Sequence, residues 1–283
     1  MGHRRAADAA GRTRASTRAA ALGGALAVVG VAAVLARAAG SEPLDLRSHT
    51  LVDLTHSYGA DTLYWPTSPS HFELTSLHEG PTEAGYYYAA NSFCTPEHGG
   101  THLDAPHHFA GPRETVEKIL LQRLIGPAVV IDISERAAGD PDALLTPDEV
   151  LAFEAKHGRI PERSIVLLRT GWSRRWPDAG RYLGDDTPGD ASNLHFPSFG
   201  REAATLLITE RRVATLGIDT ASIDGGQSHD FPVHQIAAFA NVPGLENLTG
   251  LEKLPPTGAT ILALPMKIEG GSGAPVRVVA ILP

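Results

Sequence analysis

Cysteine is almost missing from this chain: Cys94 is the only one in 283 residues. No disulfide can form within the chain, and zinc fingers or iron–sulfur clusters held by cysteines are excluded. Cys94 itself is expected to be a small buried side chain rather than a ligand. Basic charge is scarce outside the N-terminus. Lys and Arg total 24 against 32 Asp and Glu; the first 38 residues hold six arginines and one acid, Asp8, so the remainder carries 18 bases against 31 acids, a net charge of −13. A body that acidic repels phosphate backbones, which argues against a nucleic-acid partner. Internal repeats and low-complexity tracts are absent from residues 41–283. With 20% charged and 42% apolar residues, the composition excludes disorder, collagen and a multi-span membrane protein.

Long apolar runs are missing too, with one exception. Ala19 to Ala36 carries no charge, follows a stretch containing five arginines, and ends at the small-x-small triplet Ala36-Arg37-Ala38. Basic, then apolar, then small is the order of a secretory signal. The expectation is an exported protein, periplasmic or extracellular, with an uncleaved N-terminal anchor as the alternative. Residues 1–40 are therefore set apart, and 41–283 read as one domain.

Within that domain, short runs rich in β-branched and apolar residues mark strands at Thr50–Thr55, Tyr86–Phe93, Ala128–Ile133, Ser164–Thr170, Val213–Ile218, Ile261–Leu264 and Val276–Leu282. Thr146-Pro147-Asp148-Glu149 has the residues of a capping box with proline in the first turn, opening a helix to about His157 that Gly158 ends. Phe199–Arg212 and Phe231–Phe239 read as further helices. Strands and helices without regular alternation predict an α/β fold with a mixed β-sheet and flanking helices.

The 13 histidines are unevenly placed, and four fall in eleven residues: His98, His102, His107 and His108, with Asp104 among them. Imidazole and carboxylate are ligands for zinc, manganese and iron(II). Gly99, Gly100 and Pro106 argue against a helix here. In an extended segment His102 and Asp104 face the same side, and the glycines let the chain bring His98 to the same point. Such a set leaves positions open for water, as a catalytic metal needs. Trp65, Phe93 and Trp172, with Tyr86, Tyr87 and Tyr88, are candidate walls for a flat aromatic substrate. Gly225-Gly226 and Gly270-Gly271-Ser272-Gly273 lack the spacing of a phosphate-cradling loop. Asp219 suits either a partner to a ligand histidine or a turn cap. Asn247-Leu248-Thr249 fits the N-glycosylation acceptor pattern.

His98-Gly-Gly-Thr-His102-Leu-Asp104-Ala-Pro-His107-His108 resembles the H-x-G-T-H-x-D-x-P-x-H motif of the cyclase family of metal-dependent hydrolases, which includes bacterial kynurenine formamidases and isatin hydrolases. Leu51–His56, Tyr64-Trp65-Pro66, Leu216–Thr220, His234 with Glu246 twelve residues on, and Lys267–Pro275 are similar to other family segments. The resemblance implies a swivelling β/β/α-type core and a homodimer or homotetramer. It implies a site in which His98, His102 and Asp104 hold one divalent metal, zinc first and manganese as the alternative. Asp104 would bridge to a second ion on His234 and Glu246, and His108 would be the general acid/base. The implied activity is hydrolysis of the carbon–nitrogen bond of an aromatic amide of the aryl formamide type. Opening of a cyclic amide such as isatin, or of a lactone, is the alternative. A periplasmic metal-binding protein without turnover is the non-enzyme alternative.

Overall fold

The computed structural model describes residues 45–283; the export-signal reading of residues 1–40 lies outside the described residues. Twelve strands are formed among them: β1 (Leu51–Asp53), β2 (Glu73–Pro81), β3 (Tyr87–Cys94), β4 (His102–Asp104), β5 (Ile125–Asp132), β6 (Leu144–Leu145), β7 (Ile165–Arg169), β8 (Ser198–Phe199), β9 (Thr215–Ile218), β10 (Gly244–Glu246), β11 (Thr257–Pro265) and β12 (Gly273–Ile281). Two α-helices of eight residues or more accompany them, α1 (Pro147–His157) and α2 (Pro232–Phe239).

Eight strands share one sheet in the order β1-β12-β11-β5-β7-β9-β10-β4, and β4 also pairs with β12. That last pairing closes seven of them into a barrel. β12 is long enough for this because β1 pairs with its C-terminal half and β4 with its N-terminal end. β5, β7, β9 and β10 run parallel to one another, while β4, β11 and β12 pair antiparallel. The sheet is mixed and the architecture is α/β, as the strand pattern predicts.

Alternation sorts the core into two layers. On β5 and β7, Val130, Ile165 and Leu167 enter a cluster with Leu54, Leu245 and Val278 inside the barrel. Their neighbours Val129, Ile131, Val166 and Leu168 turn outward to meet Val150, Leu207 and Ala237 of the helical layer. A strand buried on both faces reads as a continuous apolar run, which is how these two look in sequence. At Gly217 a Cβ would lie 2.6 Å from Leu167 Cδ2, so a side chain there would displace Leu167 inside the barrel.

Helix α1 has the expected cap. Thr146 Oγ1 accepts from the Glu149 backbone N–H, the Glu149 carboxylate accepts from the Thr146 N–H, and Gly158 ends the helix at a φ of 89°. The segment expected as a helix from Phe199 to Arg212 differs in detail. Ser198 and Phe199 pair with β6, so winding starts at Arg201 and loosens into a π-turn over Leu206–Glu210. The β2–β3 hairpin stands apart as a separate two-stranded sheet. Leu74, Leu77, Tyr86, Tyr87, Tyr88 and Phe93 on and beside it are all at least half exposed.

Candidate active site

β4 and β10 place the first ligands. They pair antiparallel in a register that sets Glu246 directly opposite His102 and Gly244 opposite Asp104. Directly opposed residues hold their Cβ atoms about 4.5–5.5 Å apart. His102 and Asp104, two residues apart on β4, face the same side. Gly99 and Gly100 then carry the chain back so that His98 reaches Asp104. Gly100 has a φ of 57°, and a Cβ on Gly99 or Gly100 would strike the ring of Tyr64 or Tyr58.

His234 comes from the start of α2. Asp224 accepts hydrogen bonds from the backbone N–H groups of Val233 and His234, capping the helix, and its Oδ2 also accepts from His234 Nδ1 at 2.7 Å. The other face of that imidazole meets the carboxylates. Asp104 Oδ1 lies 2.6 Å from His98 Nδ1 and 3.2 Å from His102 Nε2, and its Oδ2 lies 3.1 Å from His234 Nε2. Glu246 stands 3.5 Å from His102 Nε2 and 3.2 Å from His234 Nε2. All five predicted ligands therefore converge, although His234 and Glu246 are more than 120 residues from the motif.

The five fit a divalent metal by their chemistry. Asp104 and Glu246 are each 4% exposed, and no lysine or arginine lies in the cavity wall around them among the described residues. Two buried carboxylates without a fixed cation are costly, since a buried charge must be paired. In the metal-free protein the imidazoles take on that role. Burial works against charge on His102, but Asp104 and Glu246 outweigh it and push its pKa up to about 9. His234 is pushed well above its ordinary value in the same way, with burial opposed by Asp104, Asp224 and Glu246. Asp104 is likewise buried, yet His98 and His102 hold it well below the carboxylate range. A divalent ion would replace those protons, and its binding would release them. Two donor groups overlap at Asp104: His102, Asp104 and Glu246, and His98, Asp104 and His108, each with donor atoms within 4.8 Å of one another.

His108 is set apart from the other imidazoles. Its ring stacks on His98 with centroids 3.8 Å apart and faces the open cavity. Burial and the three neighbouring imidazoles lower its pKa to about 4, against a partial pull from Asp104. It is thus neutral near pH 7 and able to accept a proton.

The cavity above the ligands has a volume of about 250 Å³. Trp65 lines it as predicted, its ring set edge-on to Phe196 and tilted against Phe231 with centroids 6.2 Å away in each case. Leu63, Tyr64, Phe109, Leu183 and Phe231 complete the apolar wall. In sequence Tyr64 stood out only beside Trp65 and Phe231 only as a helix start; Leu63, Phe109 and Leu183 gave no signal, each being one apolar residue in a loop or helix end.

Five predicted wall residues belong elsewhere. Trp172 is 2% exposed, and its Nε1 donates to the Tyr182 carbonyl at 2.7 Å within a core of Tyr182, Leu194 and Phe196. It supports the wall from behind and does not face the cavity. Phe93 sits on the hairpin, 53% exposed and stacked on Phe72, outside the cavity wall, as are Tyr86, Tyr87 and Tyr88. Cys94, at the end of β3, is exposed and not buried as expected. Asn247 is 4% exposed, which removes the glycosylation reading; its side chain bridges Tyr182 and the Gly100 carbonyl. Asp219 proves to be a turn anchor, accepting from Thr170 and Gly171, with burial raising its pKa to about 6.

The Cyclase family model matches residues 52–225, and this span contains the whole motif around His98. The chain belongs to the cyclase family. A Roseibium aggregatum isatin hydrolase is 38% identical over 207 residues, covering 70% of this chain and 77% of that protein. A Salinibacter ruber kynurenine formamidase is 27% identical across 81% of this chain and 96% of its own length. Among solved structures, isatin hydrolase A from Ralstonia solanacearum superposes with a TM-score of 0.76 at 35% identity, covering 95% of this chain and all of that one. The cyclase-family match ends at residue 225, so His234 and Glu246 are tied to the motif by the fold and not by the family model.

Proposed function

We propose that this protein is a metal-dependent hydrolase that opens the amide bond of a flat, neutral aromatic lactam of the isatin type. The observation that carries the choice is the cavity wall: Trp65, Phe109 and Phe231 offer aromatic surface, and among the described residues no lysine or arginine lines it to meet an anionic substrate group. An amino-acid side arm such as that of N-formylkynurenine would bring an unpaired carboxylate into this wall. Aryl formamides remain the second reading, supported by the paired His234 and Glu246 and by formamidase relatives matched over nearly their full length.

His98, His102, Asp104, His234 and Glu246 would hold the metal. Zinc is our first choice and manganese the second, since imidazole and carboxylate accept both. Asp104 Oδ1 faces His98 and His102 while its Oδ2 faces His234, which also lies against Glu246, and these two sets support two ions per subunit. A divalent ion bound there supplies Lewis acidity toward a carbonyl and lowers the pKa of water. The chain's own residues do the rest. Trp65 and Phe231 hold the ring flat and exclude bulk water. His108, neutral at pH 7, takes the proton of the attacking water on its ring nitrogen and returns it to the departing nitrogen. Water thereby adds hydroxyl to the carbonyl carbon as the carbon–nitrogen bond breaks.

The hairpin supports a homodimer or homotetramer, because its many exposed apolar side chains suit an interaction site and a second copy would cover them. Export is supported by the order of basic and apolar residues before Ala38.

The deciding assay offers isatin and N-formylkynurenine to the protein loaded with zinc or with manganese. Faster turnover of isatin is expected. His108→Ala should keep the metal and lose about 10²–10⁴ in kcat. Turnover of neither amide would sink the reading, and loss of metal from His108→Ala would make His108 a ligand rather than a proton carrier.

A further inference from the structure

Three imidazoles aim at the carboxylates, and the group behind each one differs. His102 Nδ1 donates to the Gly100 carbonyl at 3.0 Å, and His234 Nδ1 donates to Asp224. The Gly100 carbonyl can only accept, and both Asp224 oxygens already accept from backbone N–H groups, so both rings carry hydrogen on Nδ1 and offer Nε2 to the site. His98 is turned the other way. Its Nε2 lies 2.9 Å from Ser272 Oγ, and its Nδ1 faces Asp104.

A serine hydroxyl can donate or accept, so Ser272 alone would leave the His98 tautomer open. Glu97 closes that choice. Its Oε2 accepts from Ser272 Oγ at 2.6 Å and from the Ser272 backbone N–H at 3.0 Å. The single hydroxyl proton is thereby committed to Glu97, and only a lone pair on Oγ remains for His98. His98 must then donate through Nε2 and keep its Nδ1 lone pair toward Asp104. Two lone pairs facing each other at 2.6 Å are stable only with a cation or a proton between them.

The glycines around Ser272 allow the contact. A Cβ on Gly273 would lie 2.6 Å from His98 Cε1, and one on Gly271 would lie 2.9 Å from Glu97 Oε1. β12 pairs with β4 from Gly273 onward, and the Ser272 carbonyl accepts from the Ala105 N–H, which fixes Ser272 against the motif. The glycine-rich segment that suits no phosphate serves instead to bring Ser272 against the ring.

We propose that Glu97 and Ser272 are a positioning pair that locks His98 in the tautomer presenting Nδ1 to the metal, and so set the affinity of the site. The proposal rests on the metal reading above. Outer partners of ligand histidines typically contribute 10–100-fold in metal affinity.

The test measures zinc dissociation by competition with a chromophoric chelator, and the His98 tautomer by nitrogen-15 NMR of the zinc-loaded, histidine-labelled protein. In the parent, the proton should sit on Nε2 of His98 and on Nδ1 of His102 and His234. Glu97→Gln keeps the shape but lets the carboxamide donate, freeing the Ser272 hydroxyl to turn toward His98. It should weaken zinc binding about 10–100-fold and move or broaden the His98 Nε2–H signal alone. Ser272→Ala should weaken it similarly, and Ser272→Thr, which keeps the hydroxyl, should restore binding. Parent-like affinity in Glu97→Gln and Ser272→Ala overturns the proposal. Weakened binding with the His98 proton still fixed on Nε2, or with all three ligand signals disturbed equally, also overturns it, because the effect is then one of folding. If the parent itself binds no zinc or manganese, the metal reading fails first.

Discussion

The ligand nest and the β2–β3 hairpin break the usual rule of burial in opposite directions. The nest buries Asp104, Glu246, His102 and His234 almost completely. The hairpin exposes Leu77 and Tyr87, each 65% accessible, with Phe93 beside them. Neither makes sense for a chain alone in water. Buried charge needs an opposite charge, and exposed apolar surface needs a cover. The completion proposed for the nest is a divalent ion, and for the hairpin a second copy of the chain. In both regions the residues look misplaced for a chain by itself, and the proposed completion comes from outside it.

The largest effect that would break the comparison is expected at Asp104. Asp104→Asn removes the charge shared by three imidazoles while keeping the size of the side chain. It should cost more than the 10–100-fold that an outer partner contributes to metal affinity, and elemental analysis should find the protein depleted. Full metal content in that variant would mean that the nest is an ordinary buried polar network.

The next contrast sets one aromatic against another. Trp172→Ala, in the core behind the cavity, should destabilise the fold by about 3–5 kcal/mol in a denaturant titration. Phe93→Glu, on the hairpin, should leave the stability of the monomer within about 0.5 kcal/mol. It should, however, dissociate the oligomer in sedimentation analysis. An unchanged oligomer would remove the second copy as the hairpin's cover.

The smallest effect concerns His56, outside both regions. Its ring stacks on Trp176 with centroids 4.2 Å apart, and burial lowers its pKa to about 4. The unfolded chain takes up that proton near pH 6.5 and the folded chain only near pH 4. Stability from this group is therefore complete above about pH 6.5 and is lost as pH falls toward 4. His56→Gln should reduce the slope of stability against pH in that window by up to one proton. His108, lowered in the same direction, continues to contribute.

Much of the fold was legible because its signals are local. The runs at Ala128–Ile133 and Ser164–Thr170 became β5 and β7, and the Thr146–Glu149 cap opened α1 at the expected place. The short strand β10 was missed, since Gly244-Leu245-Glu246 carries no strand pattern of its own. The proposed ligands His98, His102 and Asp104 were readable as candidates from their spacing alone. His234 and Glu246 were reached only through resemblance, and no sequence pattern tied Asp224 to His234. Ten residues and a helix start separate it from the ring it holds. Glu97 gave no signal at all, because its partner Ser272 lies 175 residues away.

The sequence by itself settled which side chains are chemically able to bind a metal, where the capped helix begins, and that the glycines of the histidine run lead into an extended segment at His102 and Asp104. Those properties depend on neighbours within a turn or two of the chain. The tertiary structure alone decided that Glu246 stands across from His102, that Ser272 and Asp224 stand behind their histidines, and that Trp172 is buried while Phe93 is not. Each depends on which distant surfaces meet when the barrel closes, and the burial of an aromatic ring or the partner of a carboxylate is set by that meeting and not by the residue's own identity.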